Sequence, residues 1–208
     1  GVQCDYDACE YLRQFGATRE EQARNYYLWA QTVPLPMWPL LKQLPLTVMA
    51  EYVADMVPPL AIANLLRHLD VAHYFKGAVV LDLFSGVCGW LMAFFFFPEH
   101  AKPARWIAVD VDARRLAVCM HAGRRLGVEV VAVRRDLSAP WSPPRADVVV
   151  GSPPCHEFSS AKVASLRREE DGLRLVKRFF ELAESAKPRF AIMEEAASVD
   201  ESDKALEQ

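Results

Sequence analysis

A cysteine and a glutamate stand in this chain where one substrate could meet both. Cys155 closes "DVVVGSPPC" (147–155), in which an apolar run, Asp147 to Val150, turns through Gly151, Ser152, Pro153 and Pro154. Glu194 follows a second apolar run, in "KPRFAIMEEA" (187–196). An ionised thiol is a nucleophile and a carboxyl group gives or takes a proton, so such a pair could attack and activate the same molecule. Three further sets of residues suit a nucleotide-like ligand. Gly86 and Gly89 in "DLFSGVCGW" (82–90) allow a tight turn and close backbone approach. The carboxylates of "VDVD" (109–112) could accept from ribose hydroxyls, and Asp136 of "RRDL" (134–137) from an exocyclic amine. Taken singly, Asp112 and Asp136 equally suit helix caps, and Cys155 equally suits a buried small hydrophobe.

The elements that must position these residues follow from hydrophobic pattern. From Lys76 onward strands and helices alternate: "GAVVLDLF", "RWIAVDV", "VEVVAVRRDL", "ADVVVGS" and "RFAIMEEA" read as strands. "WLMAFFFF", "ARRLAVCMHAGRRLG" and "GLRLVKRFFELAESA" read as helices between them. Uniformly apolar strands joined by helices predict a mostly parallel sheet with helices on both faces, whose ligands lie beyond the carboxyl ends of the strands. All the candidate residues fall at those ends. Before Lys76, residues 1–35 predict a helical extension with Thr18 and Glu21 in capping-box register. The segment 33–45, with four prolines in thirteen positions, predicts an extended connector. A second helical stretch, 46–75, should break before Pro58 and restart near Pro59. The expected division is therefore an N-terminal helical extension with a Pro-rich connector over 1–45 and an α/β domain over 46–208.

Composition limits the classes. Of 208 residues, 52% are hydrophobic and 25% charged, the balance of a globular domain large enough to bury a core. The longest apolar stretch, residues 90–97, stops at Pro98, too short to span a bilayer. The polar, acidic N-terminus lacks a secretory pattern, so a cytoplasmic location is expected. The formal charge of −3 does not advertise nucleic acid. Five cysteines (4, 9, 88, 119 and 155) are scattered and odd in number, a pattern that predicts reduced thiols rather than a disulfide framework. Cys4 and Cys9 have no second ligand pair, so no metal site is expected.

Together the quoted segments resemble the S-adenosylmethionine-dependent cytosine-C5 methyltransferases. "DLFSGVCGW" resembles their D-L-F-A-G-x-G-G-[FW] cofactor loop, and "DVVVGSPPCHEFSS" (147–160) their D-[IL]-[IVL]-x-G-x-P-C-Q-x-F-S nucleophile loop. "KPRFAIMEEA" is similar to K-P-[KR]-x-x-x-[LM]-E-N-V, and "VDVDARRLAVCMHA" and "RRDL" are similar to the two segments that hold ribose and adenine. Order and spacing agree over about residues 79–199. The resemblance implies a Rossmann-like class I methyltransferase fold and S-adenosylmethionine as cofactor, with S-adenosylhomocysteine as product. It implies Cys155 as nucleophile, Glu194 as the partner of cytosine N3 and Pro154 as the residue fixing the loop. It places Phe84, Ser85, Gly86, Val87, Gly89 and Pro153 along the cofactor, Asp110 at the ribose, and Val111, Asp136 and Leu137 at the adenine. Cys155 would be activated by a following helix or by His156.

"YVADMVPPLAIANLLRHL" (52–69) resembles the family's closing motif, here ahead of the cofactor loop, which implies a circular permutation. His156 stands where Gln is usual, Cys88 where a loop glycine is, Asp55 where Asn is, and Glu195-Ala196 where Asn-Val is. Ser152-Pro153 stand where a Gly-Phe pair usually precedes Pro-Cys, and "PPC" (153–155) is closer to the tRNA-methylating branch. No Q-x-R-x-R segment or target-recognition domain follows, so DNA (or RNA) is expected as partner together with further protein carrying recognition, in the setting of a prokaryotic restriction-modification system. A catalytically silent cofactor-binding subunit is the alternative.

Overall fold

The computed structural model describes residues 33–44, 57–154 and 166–194, the last span with side chains from residue 173. Five strands form one sheet: β1 (Val79–Leu83), β2 (Arg105–Asp110), β3 (Glu129–Arg134), β4 (Val148–Gly151) and β5 (Phe190–Met193). All neighbours are parallel, in the order β3-β2-β1-β4-β5. Among the described residues the α-helices are α1 (Trp38–Leu41), α2 (Pro59–His68), α3 (Gly89–Met92), α4 (Ala113–Leu126) and α5 (Leu166–Ala186). The order reverses at β1, with β2 on one side and β4 on the other, so a crevice opens between the connections leaving β1 and β4. This is a Rossmann-like α/β fold, as the strand pattern predicts.

Strand alternation sends side chains to two cores. On one face Val80, Ala108, Val148 and Val150 pack with Ile62, Ala63 and Leu66 of α2, Trp90 of α3 and Leu116, Cys119 and Ala122 of α4. On the other, Leu81, Leu83, Ile107, Val109 and Val149 meet Phe179, Leu182, Ala183 and Ala186 of α5. The amino ends of the strands are tied down by Asp147, whose Oδ2 accepts from the Val79 amide at 2.9 Å.

The Pro-rich segment corrects one expectation. Within its described part, residues 33–44, a 3-10 turn (Leu35–Met37) leads into α1, and Met37, Trp38 and Leu41 are buried in the first core. Each proline there opens a helical turn, where its missing N–H costs nothing, and burial of the large apolar residues outweighs the extended preference. The break at Pro58 is as expected: Pro58 is extended and α2 begins at Pro59. α2 packs against α3 and the 3-10 turn after it (Ala93–Phe96). Thr18, Glu21, Cys4, Cys9, Asp55, Cys155, His156, Glu195 and Ala196 lie outside the described residues.

Candidate active site at the carboxyl edge of the sheet

The turn after β1 is built for close approach. Phe84, Gly86 and Cys88 all have left-handed backbone, with φ of 56°, 51° and 63°. A side chain on Gly86 would meet nothing within 4 Å, so its forward face is open, but the positive φ still favours glycine. Ser85 gives its amide to the Val109 carbonyl (3.0 Å), and Cys88 gives its own to Ser85 (2.8 Å). The Ser85 Oγ is buried with no hydrogen-bond partner among the described residues. Such an orphan normally answers to a ligand or a water. Val87 and Gly89 are buried behind the turn, and Gly89 starts α3.

β2 supplies the carboxylate that shapes this turn. Asp110 Oδ2 accepts from the Gly86 amide (2.9 Å) and Oδ1 from the Asp112 amide (2.8 Å). Each oxygen keeps a second lone pair for a ligand hydroxyl. Next to it Val111 presents an apolar side chain, 62% exposed, at the mouth of the crevice. Asp112 is the N-cap of α4, accepting from the Arg114 amide at 2.8 Å, and the hydrogen bonds and charge of Arg114 hold its carboxyl at a pKa of about 2. After β3, Asp136 is exposed and bonds the Ser138 amide (2.9 Å) and hydroxyl (2.7 Å), which lowers its pKa. Leu137 beside it is buried in the second core. The adenine- and ribose-type residues are thus brought to one edge, Asp110 and Val111 together and Asp136 one strand beyond.

The β4 and β5 ends lie in register, Gly151 beside Met193, and the Glu194 amide bonds the Gly151 carbonyl at 3.0 Å. Ser152 and Pro153 come next on the β4 side, Pro153 buried and Pro154 half-buried. The Glu194 carboxyl is half-buried; desolvation raises its pKa, and the neighbouring Ser152 hydroxyl moderates the rise. Ser152 Oγ also accepts the Trp90 indole N–H at 3.0 Å.

Sequence reasoning missed three features. Asp82 in β1 is fully buried and its pKa is raised well above the ordinary range, first by desolvation, against a hydrogen bond from the Trp106 indole (2.9 Å). The Trp90–Ser152 contact joins the cofactor-type loop to the β4 end. Cys88 and Cys119 form a disulfide, Cα atoms 5.3 Å apart and 31 residues apart in sequence, which corrects the expectation of reduced thiols for these two. Their spacing carries no signal because it is the β2–α4 return that brings α4 under the loop. Among the described residues no cluster of three potential metal ligands occurs, and no helix is long and apolar enough to cross a membrane.

No family model matches the chain, and no curated protein matches it. Solved structures similar to it include an S-adenosylmethionine-dependent O-methyltransferase from Thermotoga maritima, with 14% identity and a TM-score of 0.48, over 84% of this chain and 56% of that one. TrmN from Thermus thermophilus has 21% identity and a TM-score of 0.47, over 70% of this chain and 41% of that one. A complex named DhpI–SAM–HEP has 25% identity and a TM-score of 0.42, over 70% and 58%. This chain therefore spans less than two thirds of each of these three proteins.

Proposed function

We propose that this chain is a methyltransferase domain that binds S-adenosylmethionine at the β1–β2–β3 edge and methylates C5 of cytosine in DNA. The observation that carries the reading is the pairing of two half-sites on one sheet edge. On one side are the open Gly86 turn, the orphan Ser85 hydroxyl and the Asp110 carboxylate. On the other is the partly desolvated Glu194 beside the strand end that leads to Cys155. The residues fit the cofactor: Ser85 and Gly86 would take its methionine end, Asp110 its ribose, and Val111, Asp136 and Leu137 its adenine. When bound, it supplies an electrophilic methyl group on a sulfonium.

The protein's own part is to make cytosine C5 a nucleophile. The Cys155 thiolate adds to C6 as Glu194 gives a proton or hydrogen bond to N3, which leaves C5 enamine-like. A carboxyl with a raised pKa stays protonated nearer neutrality and suits that role. Once C5 carries the methyl group, with S-adenosylhomocysteine left as product, a water would take the C5 proton, the C6–S electron pair would return to sulfur as the Cys155 thiolate, and N3 would give its proton back to Glu194. In a duplex the base must first leave the stack. Base-specific contacts are assigned to further protein, a second polypeptide or additional sequence, in keeping with the acidic net charge.

The test is covalent trapping. With S-adenosylmethionine, the complementing recognition component and duplex DNA containing 5-fluorocytosine, Cys155 should give an adduct visible by mass spectrometry and lost in Cys155→Ala. Absence of adduct with a component shown to bind DNA would overturn the reading. "SPPC" favours a second substrate class, and adduct with 5-fluorocytosine tRNA instead of DNA would move the assignment to RNA.

A further inference from the structure

Ser152 stands between two groups that no role assigned above connects. It receives the indole N–H of Trp90 at 3.0 Å, and the register of β4 and β5 carried one residue on sets it opposite Glu194. An indole nitrogen can only donate, so the Ser152 oxygen is committed as acceptor toward Trp90. The single hydroxyl proton is then left to point at Glu194. Backbone geometry holds the other end: the Glu194 amide on the Gly151 carbonyl fixes the start of the Glu194 side chain one residue from Ser152. Strand alternation places Asp82, Val150 and Ile192 in register on the first-core face, and carrying it two residues on puts Ser152 and Glu194 on that face with Trp90.

We propose that Ser152 and Trp90 are positioning residues for Glu194: a one-way chain, indole to hydroxyl to carboxyl, occupies one carboxyl oxygen and leaves the other to face the substrate. This rests on the reading of Glu194 as the acid of the site. Trp90 follows Gly89 directly at the start of α3, so the chain also ties the acid to the cofactor loop. A carboxyl whose one oxygen is held cannot swing, and its proton is kept on the outward oxygen when Glu194 is neutral.

The titratable and charged groups of the elements packed on this face include Tyr74, whose ring stacks on Phe190 of β5. β4 carries none between Val148 and Gly151, and α3 none between Gly89 and Met92. On β1 the carboxyl is Asp82, with one oxygen on the Trp106 indole. α2 brings Arg67 and His68 in its last turn, and Arg67 bonds the Phe96 carbonyl. α4 brings Arg114, Arg115, His121, Arg124 and Arg125, and Asp147 sits at the opposite end of β4. Glu195 is the chain neighbour. Glu194→Gln separates its titration from all of these.

The test uses the full chain, labelled with 15N and with 13C at glutamate Cδ, and the Trp90 indole resonance assigned by Trp90→Phe. Over a pH titration the Trp90 indole signal should move with the same midpoint as Glu194 Cδ, and that movement should vanish in Glu194→Gln. In Ser152→Ala the Glu194 midpoint should rise by about one pH unit, the scale of one lost hydrogen bond to a carboxylate. Ser152→Thr should restore it, and Trp90→Phe should raise it by less. An indole signal flat through the Glu194 titration, or a midpoint unmoved in both Ser152→Ala and Trp90→Phe, would overturn the inference. None of these readouts needs a nucleic acid, so failure of the cytosine reading and failure of this one are told apart.

Discussion

At Asp82 a carboxyl group is buried with one oxygen on the Trp106 indole and the other without a partner among the described residues. Desolvation raises its pKa, so the folded protein holds a proton that the unfolded chain would release. Its contribution to stability is full below the ordinary aspartate range and is lost as pH rises through the folded value. Asp82→Asn keeps an acceptor for Trp106 and cannot ionise. Its stability relative to wild type should therefore grow with pH, by at most about 1.4 kcal/mol per pH unit, as read from urea midpoints at pH 5 and 8. A pair of substitutions separates binding from folding. Asp110 anchors the Gly86 and Asp112 amides, so Asp110→Ala should lower S-adenosylmethionine affinity more than tenfold and also cost about 1–3 kcal/mol of stability. Asp136 bonds only its near neighbour Ser138 by the hydrogen bonds given above, so Asp136→Ala should weaken binding while changing stability by less than about 0.5 kcal/mol. Calorimetric titration and urea denaturation check both.

At the scale of elements, α4 is the piece that sets the Asp110 side of the site. Its start is fixed by the Asp112 cap and its end by Gly127, at φ 72°, where the chain turns into β3. In between, Gly123 lets the helix lie directly on that turn: a Cβ there would sit 2.2 Å from Val130 Cγ2 and 2.9 Å from the Val128 carbonyl oxygen. The carbonyl is backbone and cannot swing aside, so Gly123→Ala must push α4 off β3. A loss of about 1–3 kcal/mol is expected, with a lower melting temperature as the measurement. Gly151 plays the same part under β4, with the Leu83 carbonyl 2.4 Å from a would-be Cβ and Phe179 at 2.9 Å. Both glycines carry packing, whereas Gly86 carries an open approach.

For the molecule as a whole, the Cys88–Cys119 disulfide closes the β1–α4 unit on itself. It crosslinks the turn after β1 to the helix that follows Asp110. With a separation of 31 residues, constraint of the unfolded chain is worth about 3–4 kcal/mol in the loop-entropy account. A thiol reductant should therefore lower the urea midpoint of the wild type and leave that of a Cys88→Ser, Cys119→Ser double variant unchanged. Equal sensitivity of the two proteins would show that the bond contributes nothing.

The strand ends were legible from sequence because each largely apolar run stops at a turn-forming or charged residue (Gly86, Asp110, Arg134, Gly151 and Glu194 mark the five stops), and a parallel sheet puts all such stops on one edge. The break at Pro58 was legible because proline removes a donor wherever it stands. The segment 33–44 was not, because prolines permit both an extended chain and the first turn of a helix, and burial of Met37, Trp38 and Leu41 chose between them. The orphan Ser85 hydroxyl, the buried Asp82, the Cys88–Cys119 pair and the Trp90–Ser152–Glu194 chain were decided by tertiary structure alone. The last three depend on residues from different strands and helices coming together, at separations of 24 (Asp82 to Trp106) to 62 residues (Trp90 to Ser152) where no local period links them. Local chemistry writes the elements and their stops; which side chains then share a proton depends on how the sheet is wound.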